Sequence, residues 1–161
     1  MTFDTKLQTL RRFLGVSPNQ DVTNTVSTRE IVGGGYDEFW RSKKRYVVVK
    51  GSRASKKSTT AALKLIVRMM EMPLANALVV RRTAATLANS CYAQLKWAIN
   101  RLGVEGHWKA TVNPLQLVYT PTQQRILFRG LDDSLKVTSI AVERGHLCFA
   151  WLKKSGHDKP L

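Results

Sequence analysis

Residues 46–59 of the chain read Tyr-Val-Val-Val-Lys-Gly-Ser-Arg-Ala-Ser-Lys-Lys-Ser-Thr. The apolar run over residues 46–49 predicts a buried strand that stops at Gly51, and a helical pattern begins near Ser58. A loop between a strand and a helix N-terminus directs main-chain N–H groups to one spot, where the helix dipole also favours an anion. The stretch therefore predicts a strand, a phosphate-binding loop and a helix, in that order.

This loop fits the P-loop pattern of Gly, four residues, Gly, Lys and then Ser or Thr at all but one position. Gly51, Lys57 and Ser58 fit, whereas Lys56 stands at the second glycine position. Lys57 would reach the β- and γ-phosphates, and the Ser58 hydroxyl would ligate Mg²⁺. A basic surface loop is the plainer interpretation, but the flanking strand and helix patterns favour a nucleotide site. The predicted nucleotide contacts are Gly51, Ser52, Arg53, Ala54, Ser55, Lys56, Lys57, Ser58 and Thr59.

The rest of the chain alternates strand and helix patterns. Apolar pairs predict a helix over residues 58–70 that ends before Pro73, and residues 77–80 form a short apolar strand that would close a βαβ unit around the loop. A second long helix runs from Leu87 to a stop at Gly103. Further strands are predicted over residues 115–119, 125–129, 137–142 and 147–152. This alternation predicts an α/β fold in which helices cover a mainly parallel sheet.

Composition points to one basic domain. The chain has 161 residues, enough for a single core, and 26 Lys and Arg against 11 Asp and Glu give a net charge of +15. Residues 41–57 alone hold eight Lys and Arg and no acid. Such a surface attracts polyanions. Part of the cluster would bind nucleotide phosphates and the rest could face DNA, and charge alone does not separate these two uses.

Other site classes find little support in the sequence. We see no signal peptide and no apolar run long enough for a membrane span, so the cytoplasm is the default location. Cys91 on a helix face and Cys148 in an apolar strand are predicted to be buried, reduced thiols. The three histidines are scattered and lack metal-site spacing. Residues 1–35 are predicted as a short helix, over residues 7–14, followed by a flexible lead-in that ends in three glycines.

The same loop resembles the variant P-loop of tailed-phage terminase large subunits, the ATPases that pump DNA into procapsids. In that family Lys is common at the position of Lys56. The similarity runs in order from about Ile31 to Trp151 and includes three further stretches, residues 37–40, residues 94–98 with 100–103, and residues 126–133.

The resemblance implies a RecA-like P-loop NTPase domain over residues 36–152 that is incomplete at its C-terminus, followed by a divergent basic tail over residues 153–161, with the family's nuclease domain absent. It implies ATP and Mg²⁺ as cofactors. The implied partners are double-stranded DNA, the portal protein, the small terminase subunit and further copies of the motor subunit, in the bacterial host cytoplasm. Arg53 matches an arginine proposed to stabilise transition-state charge in the family, although a simple phosphate or DNA contact would equally explain it. The catalytic candidates are Arg53 and Lys57. Tyr46 or Trp40 could stack on adenine, although core packing explains them equally well.

The acids that hydrolysis needs are missing from their family positions. Where the family has the Mg²⁺-side acid and the catalytic base, this chain has Lys153 and Lys154. An ammonium neither holds Mg²⁺ nor accepts a proton from water. The nearest acids are Asp132, Asp133 and Glu143, of which the first two fit a turn. Hydrolysis by this chain is therefore left open. The alternatives are a non-enzymatic basic nucleic-acid-binding protein and an inactive prophage remnant.

Overall fold

The computed structural model describes residues 27–52, 54–132 and 140–154. Within these ranges the helices are α1 Thr28–Val32, α2 Asp37–Arg41, α3 Lys57–Glu71 and α4 Ala93–Arg101, and the strands are β1 Ala75–Arg81, β2 Trp108–Val112, β3 Leu115–Tyr119, β4 Gln124–Gly130 and β5 His146–Leu152. A π-helical turn, Ala88–Tyr92, leads into α4. The predicted helix over residues 7–14 lies outside the described residues, as do residues 137–139 of the strand predicted over residues 137–142, and residues 140–142 form no strand.

The strands form one mixed sheet in the order β2-β3-β4-β1-β5. β1 pairs in parallel with both β4 and β5, whereas β2–β3 and β3–β4 are antiparallel. The α/β prediction is confirmed, but the mainly parallel sheet is not. The links from β2 to β3 and from β3 to β4 are short turns, which can join only antiparallel neighbours because a parallel crossover needs a dozen or more residues.

Helix α3 supplies the centre of the core. Its apolar residues recur at helical spacing, and Leu63, Ile66 and Met69 are fully buried. The helix ends at Glu71, where Met72 turns extended ahead of Pro73, as the sequence predicts. α3 and α4 pack on one face of the sheet, against alternate residues of β1 such as Ala77 and Val79. Truncating Leu63, Ile66 or Met69 to Ala would lower the free energy of unfolding by about 2–5 kcal/mol.

Among the described residues, a smaller apolar cluster lies on the opposite face of the sheet. Leu78 and Val80 of β1 pack there with Leu127 of β4, and Ile140 and Val142 cover them. β1 is therefore buried on both faces over residues 75–80, as expected for a strand with parallel neighbours on both sides.

The strand predicted over residues 46–49 is not formed. Tyr46 is 78% exposed and Val48 is 80% exposed, and the segment joins no ladder of the sheet. β1 already has neighbours on both sides, so the predicted βαβ unit is not closed within the described residues. The outer edge of β5 is the open edge nearest to β1, and no described segment pairs with it. An apolar run becomes a strand only where a partner accepts its main-chain hydrogen bonds.

The stretch predicted as a loose lead-in is partly ordered. The Ser27 hydroxyl accepts the N–H of Glu30 at 3.4 Å and so caps α1, and Val32 is buried in the core. Further along, the Lys64 ammonium of α3 donates to the carbonyl oxygens of Phe39 at 2.5 Å and Ser42 at 3.0 Å. Burial, with a smaller contribution from Arg68, lowers the pKa of Lys64. These contacts fasten α1 and α2 beside α3.

Candidate nucleotide-binding loop and the cleft beside it

The predicted phosphate loop lies at the start of α3. α3 leads through residues 72–74 into β1 and packs against it, so the helix N-terminus lies near the carboxyl ends of the parallel strands. In open α/β sheets, ligands bind in the crevice outside those carboxyl ends. The local geometry therefore agrees with the predicted loop and helix, even though the strand in front of them is missing.

The loop wraps around the ammonium of Lys57. The Nζ atom donates to the carbonyl oxygens of Gly51 at 2.7 Å and Ser52 at 2.5 Å, and to the hydroxyl of Ser55 at 2.6 Å. A Cβ at position 51 would lie 3.1 Å from the Ser55 hydroxyl oxygen and 3.4 Å from the Lys57 ammonium. Gly51 therefore allows the close approach of main chain to ammonium that the loop requires.

Lys56 shows why the pattern has a glycine at its position. Its φ is 56°, in the left-handed region, and it serves as the N-cap of α3. A side chain in that conformation costs about 1–2 kcal/mol, which glycine avoids. The Lys56 ammonium reaches the carbonyl oxygen of Ile31 at 2.9 Å. The carbonyl of Lys56 accepts both the N–H and the hydroxyl of Thr60, each at 2.9 Å.

The first turn of α3 offers unused donors. Lys56 makes no side-chain cap, and the first turn contains no acid. The N–H groups of Lys57, Ser58 and Thr59 precede the first intrahelical donor, Thr60, and therefore point outward at the positive end of the helix. This is the arrangement that binds anions at helix starts.

The predicted contact residues divide into two groups by exposure. Ser55, Lys57, Ser58 and Thr59 are half-buried around the start of α3, and Gly51, Ser52, Ala54 and Lys56 are exposed. Arg53, the predicted charge-stabilising residue, lies outside the described residues.

The two aromatic candidates for stacking on adenine lie in different surroundings. Trp40 packs half-buried against the core. Tyr46 is exposed, and the Arg45 guanidinium lies 5.5 Å from the centre of its ring. Core packing therefore accounts for the aromatic side chain at position 40 but not for the one at position 46. Stacking on adenine stays a prediction.

A cleft that the sequence did not predict opens beside the loop. It has a volume of about 590 Å³ and is lined by Thr59 from α3, Asn89 and Ser90 from the π-helical turn, Ala93, Gln94 and Trp97 from α4, and Lys153 after β5. The amide nitrogen of Gln94 donates to the Thr59 hydroxyl at 3.4 Å and links the two helices across it. Thr59 thus belongs both to the first turn of α3 and to the wall of the cleft.

The π-helical turn shapes one wall of this cleft. The sequence predicts a continuous α-helix from Leu87, but the N–H of Tyr92 donates to the carbonyl of Leu87 at 3.1 Å, five residues back. Ser90 sits in this widened turn, where its hydroxyl accepts a hydrogen bond from the Arg81 guanidinium at 2.7 Å. Such turns often occur at functional sites, and regular helical spacing does not reveal them.

The two cysteines differ in exposure. Cys91 is fully buried, as predicted, and burial raises its pKa, while the charges of Lys153 and Arg81 act in the opposite direction. Cys148 is exposed, so its predicted burial is wrong. It lies on β5, whose outer edge has no described neighbour.

Two of the three acids considered as replacements for the missing carboxylates are engaged elsewhere. Both carboxylate oxygens of Asp132 accept the N–H of Ala84 at 3.2 Å, and Glu143 pairs with Arg125 at 2.5 Å. Asp133 lies outside the described residues. Across residues 27–52, 54–132 and 140–154, no group of three or more His, Cys, Asp or Glu side chains could hold a metal ion. The same ranges contain no helix long and apolar enough to cross a membrane.

Comparison with known proteins gives a consistent result. The family model described as phage terminase large subunit matches residues 43–156. The large terminase subunit of Bacillus phage SPP1 is 40% identical over 122 residues, which cover 73% of this chain and 28% of that protein. The PBSX phage terminase large subunit of Bacillus subtilis (strain 168) is 29% identical over 104 residues, which cover 65% of this chain and 24% of that protein. The chain thus spans about a quarter of the length of these relatives. It belongs to the phage terminase large subunit family.

Proposed function

We propose that this chain is the nucleotide-binding part of a phage DNA-packaging ATPase and that it binds ATP through residues 51–59. The observation that carries the proposal is the Lys57 ammonium, held inside a loop that ends at the uncapped start of α3. The charge and donors present there suit a triphosphate, and the family membership favours the same assignment.

Each loop residue has a proposed role. The first-turn N–H groups and the other loop amides bind phosphate oxygens, and Lys57 contacts the β- and γ-phosphates. On binding, phosphate oxygens replace the loop oxygens that now accept from the Lys57 ammonium. The family resemblance implies that Arg53 would stabilise the charge that develops on the transferred phosphoryl group wherever hydrolysis takes place.

The residues present do not fit the Mg²⁺ that accompanies ATP in this family. Proteins hold Mg²⁺ through one or two carboxylates together with substrate phosphates. Ser58 could offer a hydroxyl, but the described residues that line the cleft include no carboxylate and do include the ammonium of Lys153. Asp132 and Glu143 are occupied by other partners. We therefore propose nucleotide binding with little or no hydrolysis by the chain as it stands.

Double-stranded DNA is the proposed polymer partner. The cations of residues 43–50 are exposed, and the chain carries a net charge of +15, which suits a phosphate backbone. The portal protein, the small terminase subunit and further copies of the chain are the proposed protein partners, in the cytoplasm of the bacterial host.

Thermal unfolding with ATP tests the nucleotide site. At a concentration of 100 times Kd, a ligand that binds only the folded state stabilises it by about 2.7 kcal/mol, which raises Tm by roughly 5–10 °C at this size. Lys57→Ala should abolish this shift. Lys50→Ala removes the same charge from an exposed position and should keep the shift. An equal shift in wild type and Lys57→Ala would contradict the proposal.

An ATPase assay tests the missing acids. The wild-type chain should show only background turnover, and Lys153→Glu with Lys154→Glu should raise it if the missing carboxylates are the main defect. Wild-type turnover well above background would contradict the expected loss of hydrolysis. Background turnover in both proteins would show that the two carboxylates are not the main defect.

A non-enzymatic nucleic-acid-binding protein is the second candidate, favoured by the exposed cations of residues 43–50. It predicts binding to duplex DNA that weakens steeply with salt, is indifferent to ATP and survives Lys57→Ala. The same variant therefore separates the two functions, because only nucleotide binding depends on Lys57.

A further inference from the structure

The cleft beside the loop lies where a ligand at the start of α3 would extend. Lys153 follows β5 directly, and its N–H donates to the carbonyl of Val80 at 3.0 Å, so its main chain lies beside the end of β1. Thr59, two residues after Lys57, forms part of the same cleft. Lys153 and the first turn of α3 therefore border one continuous space at the carboxyl ends of the parallel strands.

The side chains that line this space present donors and positive charge. Lys153 is half-buried, and its ammonium lies 6.0 Å from the centre of the Trp151 ring. Asn89, Ser90 and Gln94 add amide and hydroxyl groups, and Arg81 donates to Ser90 from behind the wall. None of the described residues that line the cleft carries a carboxylate, and no ion pair between described residues includes Lys153. Within the described part of the chain, the Lys153 ammonium therefore faces a cleft without negative charge.

A fixed ammonium changes which form of a nucleotide fits this cleft. Mg²⁺ normally neutralises part of the triphosphate charge, but a cation held at Lys153 repels a second cation that approaches the same space. The ammonium itself supplies a positive charge and three donors. A metal-free triphosphate carries more negative charge than its magnesium complex. It is therefore the better electrostatic match for the positive charge at Lys153.

We propose that Lys153 stands in for the divalent cation, so that this chain binds nucleoside triphosphates without Mg²⁺. The proposal rests on the proposed function, because it requires the triphosphate to bind at the start of α3. It extends that function by specifying metal-free nucleotide, held between Lys57 on one side and Lys153 on the other, as the bound species.

Isothermal titration with ATP and with sodium triphosphate, each in EDTA and in excess MgCl₂, tests the proposal. Wild type should bind both ligands in EDTA, with a Kd equal to or lower than that in MgCl₂. Lys153→Met should weaken binding in EDTA about tenfold or more, since it removes a charge-assisted contact. Lys154→Met removes the same charge from the exposed neighbour and should change Kd less than about twofold.

Lys153→Glu provides the reciprocal test. A carboxylate at this position should abolish binding in EDTA and restore it in MgCl₂, because the metal then bridges the carboxylate and the phosphates. If circular dichroism shows that Lys153→Met does not fold, Lys153→Arg and Lys153→Gln take its place. Arg should keep binding in EDTA and Gln should lose it, and equal binding by these two variants would overturn the proposal.

The outcomes separate this proposal from the nucleotide site itself. If wild type binds neither ATP nor triphosphate under any condition, the proposed function fails. If wild type binds only in MgCl₂, or if Lys153→Met and Lys154→Met weaken binding equally, the proposed function stands and the role of Lys153 is overturned.

Discussion

Replacing the buried side chain of Gln124 with Leu, an apolar side chain of similar size, should strongly destabilise the chain. Gln124 is 2% exposed, and its amide nitrogen donates to the carbonyl oxygens of Met69 at 3.0 Å, Met72 at 2.8 Å and Ala75 at 2.7 Å. Those carbonyls belong to the end of α3, the link that follows it and the start of β1. One side chain thus joins the helix, the link and the sheet.

The magnitude follows from the number of acceptors that lose their donor. The Met72 carbonyl also accepts the N–H of Ala75 at 3.2 Å, so Leu removes this donor chiefly from the two buried carbonyls of Met69 and Ala75. Each unsatisfied buried group costs about 1–3 kcal/mol, and the apolar replacement recovers about 1 kcal/mol in total. We expect a net loss of about 3 kcal/mol in the free energy of unfolding, which lowers Tm by roughly 6–12 °C.

Urea denaturation measures this loss directly, as a lower Cm at unchanged m. Gln116→Leu is the matched control, since Gln116 lies half-buried on the neighbouring strand β3, and it should change stability by about 0.5 kcal/mol or less. A loss below about 1 kcal/mol for Gln124→Leu would refute the reasoning, because the carbonyls of Met69 and Ala75 would then find other partners without this amide.

Three further expectations follow from single positions. Gln123→Gly should stabilise the chain by about 0.5–1 kcal/mol, because φ there is 61°, and a lower Cm would contradict this. Gly145→Ala should cost about 3 kcal/mol or more, since a Cβ would lie 1.9 Å from the carbonyl oxygen of Leu74 and φ is 75°; a Cm close to wild type would count against it. A thiol reagent at neutral pH should modify Cys148 rapidly and buried Cys91 only after unfolding, and Cys148→Ser should abolish the fast phase.

Two of the elements that the sequence predicts closely have one strongly buried side. α3 and β4 each place apolar residues at the spacing of their own element, and both occur within one or two residues of the predicted bounds. Residues 46–49 have an equally apolar pattern and form no strand. An apolar pattern indicates that a segment tends to be buried. Whether the segment joins the sheet depends on which strand edge is open and on which residues lie next to that edge. Cys148 was mispredicted for the same reason.

Only part of the candidate site is visible in the sequence. The spacing of Gly51 and Lys57 locates the loop, and the positive φ at position 56 explains the one departure from the pattern. The cleft depends on the π-helical turn, which adds a residue to the helix and moves Ser90 to the wall. The spacing of apolar residues along a helix does not reveal such an insertion. The sequence therefore does not predict that Ser90 and Lys153 line the same cleft, which the structure shows.

The hydrogen bonds between the Lys57 ammonium and the loop have a consequence for the rate of nucleotide binding. Because main-chain and hydroxyl oxygens within 2.7 Å already satisfy the Lys57 ammonium, an arriving phosphate must displace them rather than fill an empty position. Entry is then an exchange of ligands, in which the loop must open first. Stopped-flow association rates should therefore level off at high nucleotide concentration, at a plateau set by opening, and loosening the loop with Ser55→Ala should raise that plateau.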